Sequence, residues 1–206
     1  YNALISNTTG LGNTAAGAST LLSNTTGNDN TSVGNQSLFS NQNGYSNTAT
    51  GVSALYANKT GANNTATGVK ALFSNLGSGN TANGVEALKL NTTGNFNTAL
   101  GIASLTNNVS GSYNTAIGIS AMNGNTTGAY NTAIGYQAGV LTDNLDRATA
   151  IGTGAKAGCS GYVVLGDVNV KVAIGITDPT AELHVNPNGA GGFYIGGNET
   201  TGGFTE

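Results

Sequence analysis

A five-residue motif, Asn-Thr-Ala-x-Gly, returns along this chain at an almost constant interval. It begins at Asn13, Asn47, Asn64, Asn80, Asn97, Asn114 and Asn131. A copy with Ser in place of Ala begins at Asn30, and a degenerate copy spans Ala148 to Gly152. Successive starts are 17 residues apart, with one step of 16. Residues 1–12 fit the second half of a further unit, with Leu4, Asn7 and Gly10 in register. A fixed period of this kind marks a stacked repeat, in which each unit buries its inner face only against its neighbours.

Helical repeats of the ankyrin or tetratricopeptide type need units about twice this long. Gly, Asn and Thr, which together fill about 45% of the chain, are poor helix formers. Two strands of about 4–5 residues and two turns account for one unit, which predicts an all-β fold built as a parallel β-solenoid or roll. Coils stacked at ~4.8 Å would give a rod of roughly 45 Å from nine to ten units. The unbroken period leaves no room for a separate globular insert before residue 148.

Alternation assigns faces within a unit. Position 3 is Ala or Ser throughout, and position 5 is Gly from Gly17 to Gly152. Both are expected to face a thin interior where backbone layers approach closely. Position 9 is Leu21, Leu38, Leu55, Leu72, Leu88, Leu105 and then Met122, the expected apolar plug of each coil. The Asn-x-Thr-Gly run is read as a turn, with stacked Asn and Thr ladders along the rod. Position 4 includes Val33, Leu100, Ile117, Ile134 and Ile151, and position 6 includes Val52, Val69, Val85, Ile102 and Ile119. These ten residues share an outward face. An apolar stripe along a whole rod exceeds what a soluble monomer exposes. The expectation is a homotrimeric fibre with these columns lining the axis, drier toward Ile151.

Composition excludes several functions. Six basic residues and a net charge of -3 give no basic stripe for nucleic acid. No apolar run is long enough for a membrane span, so no membrane insertion by this segment is expected. The single Cys159 excludes an internal disulfide and a cysteine-based zinc cluster. The chain begins at Tyr1 rather than Met, as a piece of a longer protein would.

In series, the Asn-Thr-Ala-Ile-Gly-x-x-Ala units resemble the YadA-like head repeats of trimeric autotransporter adhesins and of bacteriophage tail fibres. The resemblance covers about residues 1–161, although the unit here is somewhat longer than the usual head repeat. It implies a left-handed parallel β-roll that trimerises. It also implies an extracellular attachment role, on a cell surface or a virion tail fibre, toward a glycan or protein receptor. Residues 162–206 are expected to form a β-rich neck, linker or tip. Strand-like runs occupy 161–166, 168–176 and 181–185, with a turn at Asp178-Pro179. The stretch Val172–Val185 resembles the linker that in phage tail fibres often precedes an endosialidase-type intramolecular chaperone, which would lie beyond Glu206. Gly189–Gly203, with Phe193, Tyr194 and Phe204 nearby, reads as a loop-rich tip or a linker.

Nothing here assembles a catalytic centre. His184 is the only histidine, no nucleophile elbow accompanies it, and Cys159 has no basic cluster around it. Before the last full unit the solenoid's carboxylates are Asp29 and Glu86, at unrelated coil positions. The charged residues from Asp143 to Glu182 are read as a solvated surface, with interchain salt bridges at a neck as the rival. The expectation is therefore a non-enzymatic fibre with no cofactor and no metal. Tyr45, Tyr56, Tyr113, Tyr130 and Tyr136 are the candidates for receptor contact, with loop or axis packing the favoured reading of each one. Two rivals stand: ice binding through the Thr column from Thr14 to Thr149, and a polysaccharide-degrading tail-spike enzyme.

Overall fold

The computed structural model describes residues 2–174 and 183–185. Among the described residues there are fourteen short strands and no helix. The strands β1 (Thr14–Ala16), β2 (Thr31–Val33), β3 (Thr48–Thr50), β4 (Thr65–Thr67), β5 (Thr81–Asn83), β6 (Thr98–Leu100), β7 (Thr115–Ile117) and β8 (Thr132–Ile134) each open one repeat. They are followed by β9 (Gly139–Val140), β10 (Thr149–Ile151), β11 (Lys156–Ala157) and β12 (Val163–Leu165). Strands β1 to β8, β10 and β12 form one ten-stranded parallel sheet. Pairing is straight across, Thr on Thr and Ala on Ala except at Ser32, from Thr14↔Thr31 to Thr132↔Thr149. The chain is thus a parallel β-solenoid of about nine 17-residue turns.

The chain divides into two compact units, Tyr1–Val168 and Asn169–Glu206. In the second, β13 (Val172–Ile174) and β14 (Leu183–Val185) pair in parallel. His184 lies on β14, but its side chain is outside the described residues, as are Asp178-Pro179 and the Gly189–Gly203 stretch with Phe204. In the first unit the sheet continues past the end of the 17-residue period. Ile151 pairs with Leu165, so the last coil is completed in 14 residues.

Each coil from Asn13 to Tyr130 makes one three-residue strand where two longer ones were expected. The reason is local backbone conformation. Position 7 (Gln36, φ 56°; Lys70, φ 56°; Ala103, φ 53°) and position 9 (Leu21, φ 46°; Leu105, φ 49°) are left-handed in each full coil up to Met122. Two left-handed residues so close together prevent an extended run. A non-glycine residue in this region costs roughly 1–2 kcal/mol, so the surroundings must impose it. They do: the Leu column is wholly buried, and coil-to-coil bonds such as Leu38 N–H to Ala54 O (2.9 Å) lock the same positions. Where position 9 is Gly139 or Lys156 the left-handed residue is gone, and β9 and β11 form a second, two-stranded sheet.

The position 3 alanines face the interior and are buried, as expected. The position 5 glycines do not. They sit at a corner, half-exposed, with φ between 118° and 147°. From Gly17 to Gly135 a Cβ would fall 2.4–2.7 Å from the carbonyl oxygen of the glycine one coil further on. Glycine is required there by conformation and by contact along the stack, not across it.

The interior contains few hydrocarbon atoms. Its main polar component is two columns of buried asparagine. In one column, Asn24, Asn41, Asn58, Asn75, Asn91, Asn108 and Asn125 each donate Nδ2–H to the Oδ1 of the preceding rung at 2.7–3.3 Å. The other column begins at Asn13. The Oδ1 of each rung accepts the backbone N–H of the next, as in Asn47 to Asn30 at 3.0 Å. Within a coil the two asparagines meet on a single turn carbonyl. Gly44 O, for example, accepts from Asn30 (2.8 Å) and from Asn41 (3.0 Å). The 16-residue coil loses its residue between Asn75 and Gly77, inside this turn, and both donors still reach Gly77 O. The first column ends at Asn125, whose Oδ1 is buried without a partner because position 12 of the next coil is the exposed Thr142. Ser32 and Ser37 extend the same logic. Where Ser replaces the interior Ala, the facing position is also Ser, and the two hydroxyls bond each other.

Gly101→Ala places a methyl against the Gly118 backbone and is expected to cost about 3 kcal/mol or more in chemical denaturation. Ala103→Gly, at φ 53°, is expected to raise stability by about 0.5–1 kcal/mol, the reverse of the usual penalty. Asn58→Ala leaves the Asn41 acceptor and an Asn75 donor unpaired in the interior. It is expected to lower stability by about 3 kcal/mol. A loss under about 1 kcal/mol in the same assay would contradict the ladder's role.

Candidate functional site

The outward face of the ten-stranded sheet carries two parallel columns, positions 2 and 4, and a third, position 6, follows directly after the corner glycine. Thr at position 2 is exposed from Thr14 to Thr98 and half-buried at Thr115, Thr132 and Thr149. Position 4 changes character along the rod. It is Ala16, Val33, Thr50, Thr67 and Asn83 in the first five coils, then Leu100, Ile117, Ile134 and Ile151, continued by Leu165. Position 6 adds Val52, Val69, Val85, Ile102, Ile119 and then Tyr136. The ten residues Val33, Val52, Val69, Val85, Leu100, Ile102, Ile117, Ile119, Ile134 and Ile151 are 36–52% exposed in the single chain. The columns arise because Ala at position 3 turns inward, which directs positions 2 and 4 outward. Straight register then places each side chain above its equivalent. The last coil exposes further apolar side chains, including Tyr162, Val163 and Val168.

The five candidate tyrosines do not converge. Tyr45 is at position 16, Tyr56 at position 10, Tyr113 and Tyr130 at position 17, and Tyr136 within the position 6 column. Three of them stand in aromatic stacks. Tyr56 is sandwiched between Phe39 and Phe73, with centroids 5.0 Å away on each side. Tyr113 lies between Phe96 (5.1 Å) and Tyr130 (4.9 Å). The outer face of Tyr130 is covered by the Arg147 guanidinium at 5.7 Å. A sugar stacks on a ring face, and these rings offer only edges and hydroxyls. Tyr45 and Tyr136, both about half exposed, stand in neither stack. The repeating period contains both stacks, because the same position in successive coils lies in one column.

The recurrent Asn-x-Thr sequons are used structurally. Asn24, Asn58, Asn91 and Asn125 are buried and donate both to a turn carbonyl and to the neighbouring rung. Their carboxamide nitrogens are inaccessible to a glycosyl donor in the folded coil.

Charge plays a small part. Lys89 donates to Glu86 at 2.9 Å. That hydrogen bond, with help from the charges of Lys89 and Lys70, holds the exposed Glu86 carboxyl below its usual range. Whatever stability this adds is present at neutral pH and fades as pH falls through the carboxylate range, and at an exposed pair it is small. Among the described residues no three His, Cys, Asp or Glu side chains gather as a metal site. A cleft of about 480 Å³ beside the last coil is lined by Leu141, Lys156, Val164, Leu165, Asp167 and Val168, and it is mostly apolar. Cys159 is exposed.

No family model, curated protein or solved structure matches this chain.

The stacks predict a division among the tyrosines. Tyr56→Ala removes the middle ring of three and is expected to cost about 1–2 kcal/mol in thermal unfolding. Tyr45→Ala is expected to leave stability within about 0.5 kcal/mol.

Proposed function

We propose that this chain is a segment of a homotrimeric extracellular fibre, built as a left-handed β-roll of the YadA-like head type, that mediates attachment to a cell surface. The observation that carries the proposal is the pair of exposed apolar columns at positions 4 and 6, on either side of the corner glycine. Position 4 stacks in straight register, and both columns are exposed in the single chain from Val33 to Ile151. Two sister copies would cover it under three-fold symmetry, since each chain then presents the same columns to the axis. Burying an Ile side chain contributes about 1.5–3 kcal/mol, and the C-terminal coils supply such residues in consecutive rungs. The role is mechanical and non-enzymatic. The stacked coils give length and stiffness, and side chains away from the axis meet the receptor, a surface glycan or protein. Tyr45, which stands in neither stack, is the most available of the candidates.

The Thr column supports ice binding as the second reading, because it repeats once per coil on the same sheet. Its neighbouring column is Thr only at Thr50 and Thr67 and becomes Leu and Ile thereafter, which suits a protein interface better than a hydroxyl lattice.

The test is the mass in solution. Light scattering at micromolar concentration is expected to give three times the chain mass of 20.3 kDa. The double variant Ile117→Asn with Ile134→Asn is expected to be monomeric, with its circular dichroism unchanged because both side chains lie outside the coil. A folded monomer for the unaltered chain, above all one showing thermal hysteresis, would overturn the proposal.

A further inference from the structure

The described residues contain three Asn-Gly dipeptides, Asn43-Gly44, Asn83-Gly84 and Asn123-Gly124, and the fold treats them differently. An Asn followed by Gly ages chemically when the glycine nitrogen attacks the asparagine side chain. That attack needs a nitrogen free to lose its proton and room for the peptide to pivot. Gly44 is buried, and its N–H donates to Lys59 O at 3.3 Å, beside the Asn43 N–H on the same carbonyl at 3.1 Å. Gly84 donates to Thr67 O at 2.8 Å and is wedged against Gly101 of the next coil. Gly124 differs in every respect. It is exposed, its N–H makes no hydrogen bond, and the nearest atom to a Cβ built on it is 3.8 Å away. Equivalent N–H groups donate to position 10 of the next coil, as Leu90 does to Thr106 O at 3.1 Å. For Gly124 that position is Val140 on β9, whose carbonyl oxygen is nearby but accepts no hydrogen bond from it.

A further contact acts on the same peptide. The Asn107 carboxamide donates to the Asn123 carbonyl oxygen at 2.8 Å. A donor on that oxygen withdraws electron density from the peptide group and stabilises the anion formed when its nitrogen is deprotonated, much as oxyanion donors do elsewhere.

We propose that Asn123 is a site of spontaneous, structure-selected deamidation, while Asn43 and Asn83 are protected by their place in the stack. The Gly124 amide nitrogen gives its proton to water or hydroxide and bonds to Asn123 Cγ. The bond from Cγ to the side-chain nitrogen breaks, and that nitrogen leaves as ammonia. The resulting five-membered imide takes up one water at either carbonyl and opens to aspartate or isoaspartate. Either product adds a negative charge. The isoaspartate also adds a backbone atom between two interior anchors, the Met122 plug and the Asn125 rung, both buried. Position 10 lies outside the columns assigned to the axis, so this inference stands independently of the proposed trimer.

The experiment is peptide mass mapping of the full-length folded protein held at mildly alkaline pH, beside the same protein unfolded in denaturant. In the folded sample the peptide containing Asn123 is expected to gain a single mass unit and to split into two chromatographic forms. The peptides containing Asn43 and Asn83 should react at least about tenfold more slowly, the factor that one locked hydrogen bond of ~1.4 kcal/mol imposes. Unfolding is expected to erase the difference. Gly124→Ala should suppress the reaction without unfolding the coil, since open space surrounds that site, and Asn107→Ala should slow it. Equal rates at the three sites in the folded protein, or an Asn123 that reacts only when unfolded, would overturn the proposal.

Discussion

A carboxamide taken out of water must find partners for two N–H groups and for its oxygen, or it costs several kcal/mol. This solenoid meets that demand by placing the same residue at the same point of every coil. Each asparagine then serves as its neighbour's partner, and the two columns converge on one carbonyl per turn. The rest of the coil follows from that requirement. The interior must be narrow enough for asparagines on two sides to reach one glycine carbonyl, which leaves space for one Leu and small residues. The coil length must stay constant wherever a change would shift a rung. The only tolerated deletion in the run of full coils falls between Asn75 and Gly77, where both partners keep their places.

A core made this way is cohesive along the stack and thin across it. Its apolar content per coil is one leucine and one or two alanines, most of them fully buried. The stripe on the outside of the sheet therefore contains as much branched aliphatic side chain as the inside. That inversion is what ties the fold to the proposed fibre. The coil supplies rigidity through hydrogen bonds, and apolar surface that a globular domain would bury within itself stays exposed in the single chain, where the proposed fibre would cover it. The change at position 4, from Thr50, Thr67 and Asn83 to Leu100, Ile117 and Ile134, gives the two halves of the rod different surfaces on one unbroken frame.

Much of this was legible from spacing alone. Seventeen residues of Gly, Asn and Thr character specify a parallel solenoid, and alternation around Ala identifies the outward columns and the Leu plug. What period-2 reasoning missed is the backbone between positions 5 and 9. Leu105 and Ala103 give no sign in their side chains that they occupy the left-handed region, because stacking imposes that conformation. Gly101 was assigned inward on size alone, whereas its role is a corner with φ 132° pressed against the next glycine. The burial of Asn58 was hidden for a similar reason. An Asn-x-Thr turn reads as surface until the whole stack supplies its partners. Tyr56 and Tyr113 could be named only as contact or packing residues, and only the column view shows which rings cover their faces.

The direction of the asparagine column has one more consequence. In the rungs from Asn24 to Asn125 the donor always belongs to the later coil and the acceptor to the earlier one, so the amide dipoles add rather than cancel. Chains of aligned amides polarise one another. As at the two ends of an α-helix, the sum places partial negative charge at one terminus and partial positive charge at the other. The unpartnered Asn125 oxygen is the negative pole. The asparagine column is thus electrically a vector, with a head and a tail fixed by the sequence before any charged side chain is counted.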